Sequence, residues 1–317
     1  MTESEISVKA SAYKKIRFWA AGYFAVQGIA VVLWWLILVF APSSRKYFGG
    51  EGTFEIWLTA FWLPDLMLIA IGSIVVAGVC FFDSRFAEST AWFVTGAVAY
   101  ASIYCFSFAL ATDTGWLGVA LMLPSMLWSG VFSFGISSFK NAMFRQSKPA
   151  RTSWILTKTL LQIIIVWGLI LFVIPPFIVR LEEKIGFDNF YFPYQKIAAV
   201  IFFVSISLLG LSSAYTMSKI GRGTPLPLDS ASQLVVAGVY KYVRNPMAIS
   251  GIGQGLAVAL WHGSLFVAIY ALMGGAIWQL VFRPLEEGDL QLRFGEEYEK
   301  YRKNVSCWIP RIKPYKP

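Results

Sequence analysis

The chain has 317 residues, of which 57% are hydrophobic, 17% aromatic and only 14% charged, against about 25% charged in an ordinary soluble domain. This leaves too little polar surface for a water-soluble fold and excludes a folded basic nucleic-acid-binding domain, so the net charge of +9 must have another use. The three cysteines, Cys80, Cys105 and Cys307, are odd in number and two lie in apolar stretches, which excludes a disulfide framework and a metal site.

The apolar residues come in blocks. Segments 18–41, 56–82, 91–111, 115–139, 154–179 and 197–218 each approach or exceed the ~20 residues that cross a bilayer as a helix. The first follows a polar, basic start and is too long for a signal-peptide core, so it is read as a span and not as a cleaved leader. Segment 247–260 is shorter, and only Trp261 to Ser264 separate it from segment 265–282. It reads as a tilted span, a partial span or one arm of a re-entrant hairpin. The predicted fold is all-α: a polytopic integral membrane helical bundle of about eight membrane segments, with a short C-terminal hairpin and a cytosolic amphipathic helix.

Positive residues in short loops resist translocation and so set orientation. With a cytosolic N-terminus, the outer loops hold Arg45, Lys46, Arg180 and Lys184, while nearly all other Lys and Arg residues fall inside, eight of them after residue 282. The sequence therefore places both termini in the cytosol, with the chain in an inner or plasma membrane. The positive charge is read as an orientation signal and an attraction to anionic lipid headgroups.

Residues 1–190 form transmembrane helices of unassigned role, without internal repeat or catalytic motif. Asp65, following Pro64, is an intramembrane acid and so a functional candidate, but an interfacial acid at a helix start is the preferred reading. Glu182, Glu183 and Asp188 are read as solvated loop residues.

Residues 191–317 carry the chemistry. GRGTPLPLDSASQLVVAGVYKYVRNPM is a polar, Gly- and Pro-punctuated connection between apolar blocks, and long connections in compact proteins are usually functional. Pro246 suits the first turn of a helix and Asn245 its N-cap. The helix N-terminus would then offer its N–H groups to an anion or carboxylate at the cytosolic surface, with Arg244 at the headgroup boundary. Farther on, Leu290, Phe294, Tyr298, Tyr301 and Val305 form one helical stripe. Glu296 with Lys300, and Glu299 with Lys303, are i,i+4 pairs on the other face. Arg283 and Glu287 share a face only if the helix continues through Pro284. The string SGIGQG at 250–255 lacks the strand that a dinucleotide fingerprint needs, so Gly251 and Gly255 are read as a close-packing pair. His262 is read as an interfacial loop residue.

The order and spacing of GVYKYVRNPM, a tight apolar hairpin and EEGDLQLRFGEEYEKYRKNV followed by IP resemble the isoprenylcysteine carboxyl methyltransferase family and its bacterial relatives. Phospholipid methyltransferases carry a similar pattern. The resemblance covers about 195–312. The family's Arg-His-Pro-x-Tyr motif corresponds to Arg244, Asn245, Pro246, Met247 and Ala248, so Asn stands for His and the aromatic wall supplied by Tyr is missing. The paired acids correspond to Glu286 and Glu287, Glu287 being the closer counterpart of the cofactor-contacting acid. The resemblance implies an S-adenosyl-L-methionine-dependent enzyme whose cofactor is held by Ser232, Gln233, Leu234, Val235, Tyr240, Arg244, Asn245, Pro246, Met247, Glu286 and Glu287, without a metal. Arg283 and Glu287 are the catalytic candidates, and the substrate is a lipophilic or lipidated molecule from the bilayer.

A carboxylate acceptor is already ionised at neutral pH and needs no general base, and the guanidinium of Arg283 matches a carboxylate, so O-methylation is favoured over N- or S-methylation. Two alternatives stand beside this: an NADPH-dependent sterol- or steroid-type membrane reductase, and a non-enzymatic helical membrane protein with a decayed cofactor site.

Overall fold

The computed structural model describes residues 3–49, 52–138, 163–221 and 233–316, together with 145–146, 157, 161 and 229–230; no side-chain placement is described for 3–10, 53, 145–146, 163 and 229–230. Apart from a two-residue parallel pairing of Arg145–Gln146 with Asp229–Ser230, the described chain is a helical membrane bundle, as its composition predicts. It falls into two compact units, one Lys9–Asn141, the other Ala142–Pro317 together with Met1–Val8.

The first unit is built on α1 (Glu3–Phe40) from Lys9 onward, α2 (Glu55–Phe81), α3 (Ala87–Thr112) and α4 (Trp116–Ser138). Helices are the natural outcome for such segments, because in hydrocarbon each backbone N–H and C=O must find its partner within the segment. Small polar side chains join them: Thr95 Oγ1 and Ser133 Oγ are 2.8 Å apart, and Ser102 Oγ donates to Met122 O across the α3–α4 contact at 3.0 Å. Arg17 on α1 is buried and donates to Val79 O at 3.2 Å and to Cys80 O, at the carbonyl end of α2, where it also pairs with Asp83. A cation at that end complements the helix dipole, so Arg17 does more than orient the chain. Asp65 is 8% exposed and accepts from Trp35 Nε1 at 3.1 Å. It is a buried acid inside the unit, not the interfacial residue expected, because the helix turns it inward onto α1.

The second unit contains α5 (Ile164–Ile185), α6 (Gln195–Gly221), α7 (Pro246–His262) and α8 (Leu265–Ile277). The last helix runs on through a π-helical turn, Trp278–Phe282, into α9 (Arg283–Asn304). Among the described residues seven helices are long and apolar enough to cross a membrane; α7, with 17 residues, falls just short, so it is the shortest of the eight predicted segments. The helix does continue through Pro284. Proline fits here because it follows the wide turn, where the α-helical hydrogen-bond ladder is already interrupted.

Glycine brings α6, α7 and α8 together. A Cβ on Gly253 would meet Ile206 Cγ1 of α6 at 2.6 Å, one on Gly255 would meet Ala271 Cβ of α8 at 2.7 Å, and one on Gly275 would meet Ile252 Cδ1 at 2.7 Å. The close contacts are thus made by Gly253 and Gly255, on opposite sides of α7; Gly251, the residue expected to pair with Gly255, has nothing nearer than Trp167 at 3.7 Å. Gln254 adds a polar clasp, accepting from Trp167 Nε1 and donating to Ser207 Oγ, both at 2.8 Å. Gly253→Val is therefore expected to destabilise the protein by about 1–3 kcal/mol through overpacking, seen as a lower thermal midpoint in detergent, with Gly251→Ala as the near-neutral control.

The turn between α7 and α8 is held from outside the hairpin. Gly263 takes a positive φ of 67° to end α7, and a side chain there would run into Phe190 O. Phe190 N donates to Gly263 O at 2.8 Å, and Gln195 Nε2 donates to Leu260 O at 2.7 Å. Glu182, on α5, is 1% exposed and caps the start of α8, accepting from Ser264 Oγ, from Leu265 N at 3.2 Å and from Phe266 N at 3.4 Å. This corrects the reading of Glu182 as a solvated loop acid: the last turn of α5 carries it inward to the first N–H groups of α8, which need an acceptor.

Candidate active site

The return of the hairpin brings the two motifs together. Arg244 Nη1 donates to Glu287 Oε1 at 2.7 Å, and Arg283 Nε reaches the same oxygen at 2.9 Å. Arg244 also donates through Nε to Val305 O at 2.7 Å and through Nη1 to Tyr298 OH at 3.3 Å, and its side chain is only 8% exposed. It is an inward-facing hub and not the headgroup-boundary residue expected. Arg283 shares the face of Glu287, and its Nη1 donates to Gln279 Oε1 at 3.0 Å.

The loop before α7 is held by packing. Val235 and buried Tyr240 pack with Met217, Val239 and Met247, while Leu234 joins Val236, Leu290, Phe294 and Tyr315 around Tyr298, Tyr301 and Val305. The apolar stripe predicted after residue 289 is thus real, although its helix is broken at Gly295, whose φ of 49° and ψ of −122° are not helical. Tyr301 OH donates to Tyr240 O at 2.7 Å, fastening α9 to the loop. Of the predicted cofactor residues, Gln233 is exposed, Leu234 and Met247 are half-buried, Val235 and Pro246 are buried, and Ser232 lies outside the described residues.

Asn245 precedes α7 and Pro246 occupies its first turn, but the Asn245 side chain does not cap the helix. Its Nδ2 donates instead to Cys307 Sγ at 3.2 Å. Asn245 therefore leaves the first N–H groups of α7 without a cap from its own side chain. Cys307 therefore stands beside the Arg244–Pro246 loop, and burial pushes its thiol up. Sequence reasoning also missed the segment after α9. Arg244 N donates to Ser306 O at 3.0 Å, Arg311 N to Tyr242 O at 2.9 Å, Tyr315 N to Lys241 O at 2.9 Å, and Trp308 Nε1 to Gln279 Oε1 at 2.8 Å. The segment thereby covers the loop. Its only advance signal is the apolar and aromatic content of NVSCWIP after a charged helix.

The two acids differ in kind. Glu287 is clamped by two guanidinium groups, whereas among the described residues no cation forms an ion pair with Glu286. Burial, and then the charges of Glu287 and Asp289, push the Glu286 carboxyl up to about 7. Burial and the nearby Glu286 raise the Tyr240 phenol, whose hydroxyl is buried without a hydrogen-bond partner among the described residues. A half-buried carboxyl without an ion-pair partner and a buried hydroxyl without a hydrogen-bond partner, both among the described residues, are the two polar positions that a ligand bearing an ammonium and hydroxyl groups would fill. Such a ligand fits this site. An apolar cavity of about 320 Å³ in the same unit is lined by Trp261 and His262. It lies at the other end of α7 from Asn245, about 25 Å along the helix axis, and is separate from this site.

A family model described as phospholipid methyltransferase matches residues 194–297. Among curated proteins, methanethiol S-methyltransferase 1 of Bradyrhizobium diazoefficiens is 36% identical over 74 residues, covering 23% of this chain and 24% of that protein. Methanethiol S-methyltransferase of Crocosphaera subtropica is 30% identical over 107 residues, covering 33% of this chain and 38% of that protein. The chain therefore spans between a quarter and two fifths of the length of these relatives. No solved structure matches. The resemblance to membrane methyltransferases read from the Arg244–Pro246 loop and the Glu286–Glu287 pair is borne out over residues 194–297, where the chain is similar to the phospholipid methyltransferase family.

Proposed function

We propose that the chain is an integral membrane methyltransferase that takes S-adenosyl-L-methionine from the cytosolic side and methylates a lipophilic acceptor entering from the bilayer. The observation that carries this reading is that the half-buried Glu286, which forms no ion pair among the described residues, lies near the buried Tyr240 hydroxyl, which has no hydrogen-bond partner among them, inside the segment matched by the methyltransferase family. S-adenosyl-L-methionine would supply an electrophilic methyl group on a sulfonium. Glu286 accepts its ammonium or ribose hydroxyls, the N–H groups at the start of α7 receive its carboxylate, and Tyr240 donates its free hydroxyl. Arg244 and Glu287 hold loop and helix in register, which places the reactants in line in a dry pocket. Reductase and non-enzymatic readings are not favoured, since the relatives carry methyltransferase names.

Purified protein in detergent is expected to bind S-adenosyl-L-methionine and its demethylated product saturably and NADPH not at all; absence of saturable binding by the first two ends the proposal. The binding should depend on pH. A carboxyl raised from 4.5 to about 7 keeps its proton in the folded protein where the unfolded chain has lost it. The stability it contributes is thus fully present below 4.5 and is lost as pH rises through 7. A bound ammonium favours the ionised form, so affinity should fall below pH 7, by at most about tenfold per unit, and Glu286→Gln should flatten the profile.

The first acceptor to test is a long-chain carboxylate, which needs no base. The names of the relatives favour a thiol as the second reading. Methyl ester formation from palmitate, set against thioether formation from hexadecanethiol, separates the two.

A further inference from the structure

The unit Lys9–Asn141 contains a partly open cavity of about 390 Å³, within the range of small-molecule sites. Its walls are mostly aromatic: Trp34, Trp57, Phe61, Tyr104 and Phe108 line it, and the rings of Phe61 and Tyr104 stand 4.5 Å apart. Its one ionisable carboxyl is Asp65, 8% exposed, with Oδ2 accepting from Trp35 Nε1. None of the residues lining the cavity is Lys or Arg, and among the described residues Asp65 forms no ion pair. Trp34 Nε1 is buried here without a hydrogen-bond acceptor among the described residues. The polar corner formed by Gln27, Ser73, Ser129 and Tyr23 is, by contrast, internally satisfied: Gln27 Nε2 donates to Ser73 Oγ at 3.3 Å, Ser129 Oγ donates to Gln27 Oε1 at 2.9 Å, and Tyr23 OH donates to Ser125 O at 2.8 Å.

From this we infer that the N-terminal unit holds a second binding site, for a lipophilic monocation: a protonated amine or a quaternary ammonium carrying an apolar group. Three features select that chemistry. A buried carboxylate needs a balancing cation, and the chain offers none at the cavity. Ring faces around the carboxylate attract an ammonium, more strongly where water is excluded. The remaining wall is apolar and accepts an alkyl or aryl group, while an anion would meet Asp65 and be rejected. The start of a π-helical turn at Asp65, directly after Pro64, sets the carboxyl toward α1 and the cavity.

The test is binding of benzyltrimethylammonium to the full-length protein in lipid nanodiscs, with neopentylbenzene as its neutral isostere, followed by tryptophan fluorescence and calorimetry. The expected result is saturable binding of the cation at least tenfold tighter than that of the isostere. Asp65→Asn should remove at least that tenfold preference and leave the isostere unchanged, and Glu286→Gln should alter neither. If Asp65→Asn does not fold, Phe61→Leu is expected to weaken the cation severalfold more than the isostere. Equal binding of the two probes, no saturable binding of the cation, or a cation affinity unaffected by Asp65→Asn would overturn the inference.

Discussion

Glu182→Ala is expected to cost the protein about 3 kcal/mol, because it strips a buried acceptor from the start of α8 and leaves its donors facing apolar surroundings. For a unit of this size that corresponds to a thermal midpoint lower by roughly 10 °C. The carboxylate receives Ser264 Oγ, Leu265 N and Phe266 N while being 1% exposed, and water cannot readily replace it. Glu182→Gln separates charge from hydrogen bonding. The amide oxygen can still accept from the two N–H groups and its NH2 can donate to Ser264, so the Gln variant should recover most of the loss if geometry is the main contribution. Differential scanning fluorimetry of both variants in one detergent decides this, and an unchanged midpoint for the Ala variant would show that the cap is not needed. The effect should reach the candidate site, because the hairpin returns Arg283 and Glu287 to Arg244.

Arg244→Ala should lower affinity for S-adenosyl-L-methionine by roughly a hundredfold, the consequence of losing about 3 kcal/mol of buried, charge-assisted contacts. Arg244 holds Glu287, Tyr298 and the carbonyl of Val305 at the same time. Arg244→Lys keeps one positive charge but replaces a planar fork by a point charge that cannot reach all three, so it should recover only part of the affinity. Removing Arg244 should also loosen the segment after α9, whose residues bond to Lys241, Tyr242 and Arg244. Limited proteolysis should then cut after Val305 faster than in the native protein. Native affinity together with native protease resistance in the Ala variant would refute the assigned role.

Much of this architecture could be read from the residues. Long apolar blocks dictate helices in a bilayer whatever their neighbours, and the Arg244–Pro246 loop and the Glu286–Glu287 pair announced themselves by order and spacing. The hairpin at Trp261 to Ser264 was legible because four residues cannot do much besides turn a chain. Other features depended on three-dimensional neighbours. Glu182 has the sequence context of a loop acid and becomes a helix cap only because α5 ends beside α8. Asp65 looked interfacial until its turn directed it into the aromatic cavity. Asn245 has the composition of an N-cap, yet its side chain makes no cap and is instead oriented with Nδ2 on Cys307, 62 residues later. The acids could be found as a pair, but which of them carries cations and which does not is set by Arg244 and Arg283 arriving on the same side.

The π-helical turn at Trp278–Phe282 acts as a phase setter for everything beyond it. An α-helix advances about 100° per residue, so one residue more or fewer in this turn would swing the whole acidic and basic array of α9 through more than a quarter of a circle. Arg283, Glu286 and Glu287 would then point away from Arg244 and Tyr240 while every side chain stayed chemically intact. The site is therefore fixed by chain length as much as by chemistry: a substitution in this turn perturbs one contact, whereas a single deletion disconnects them all.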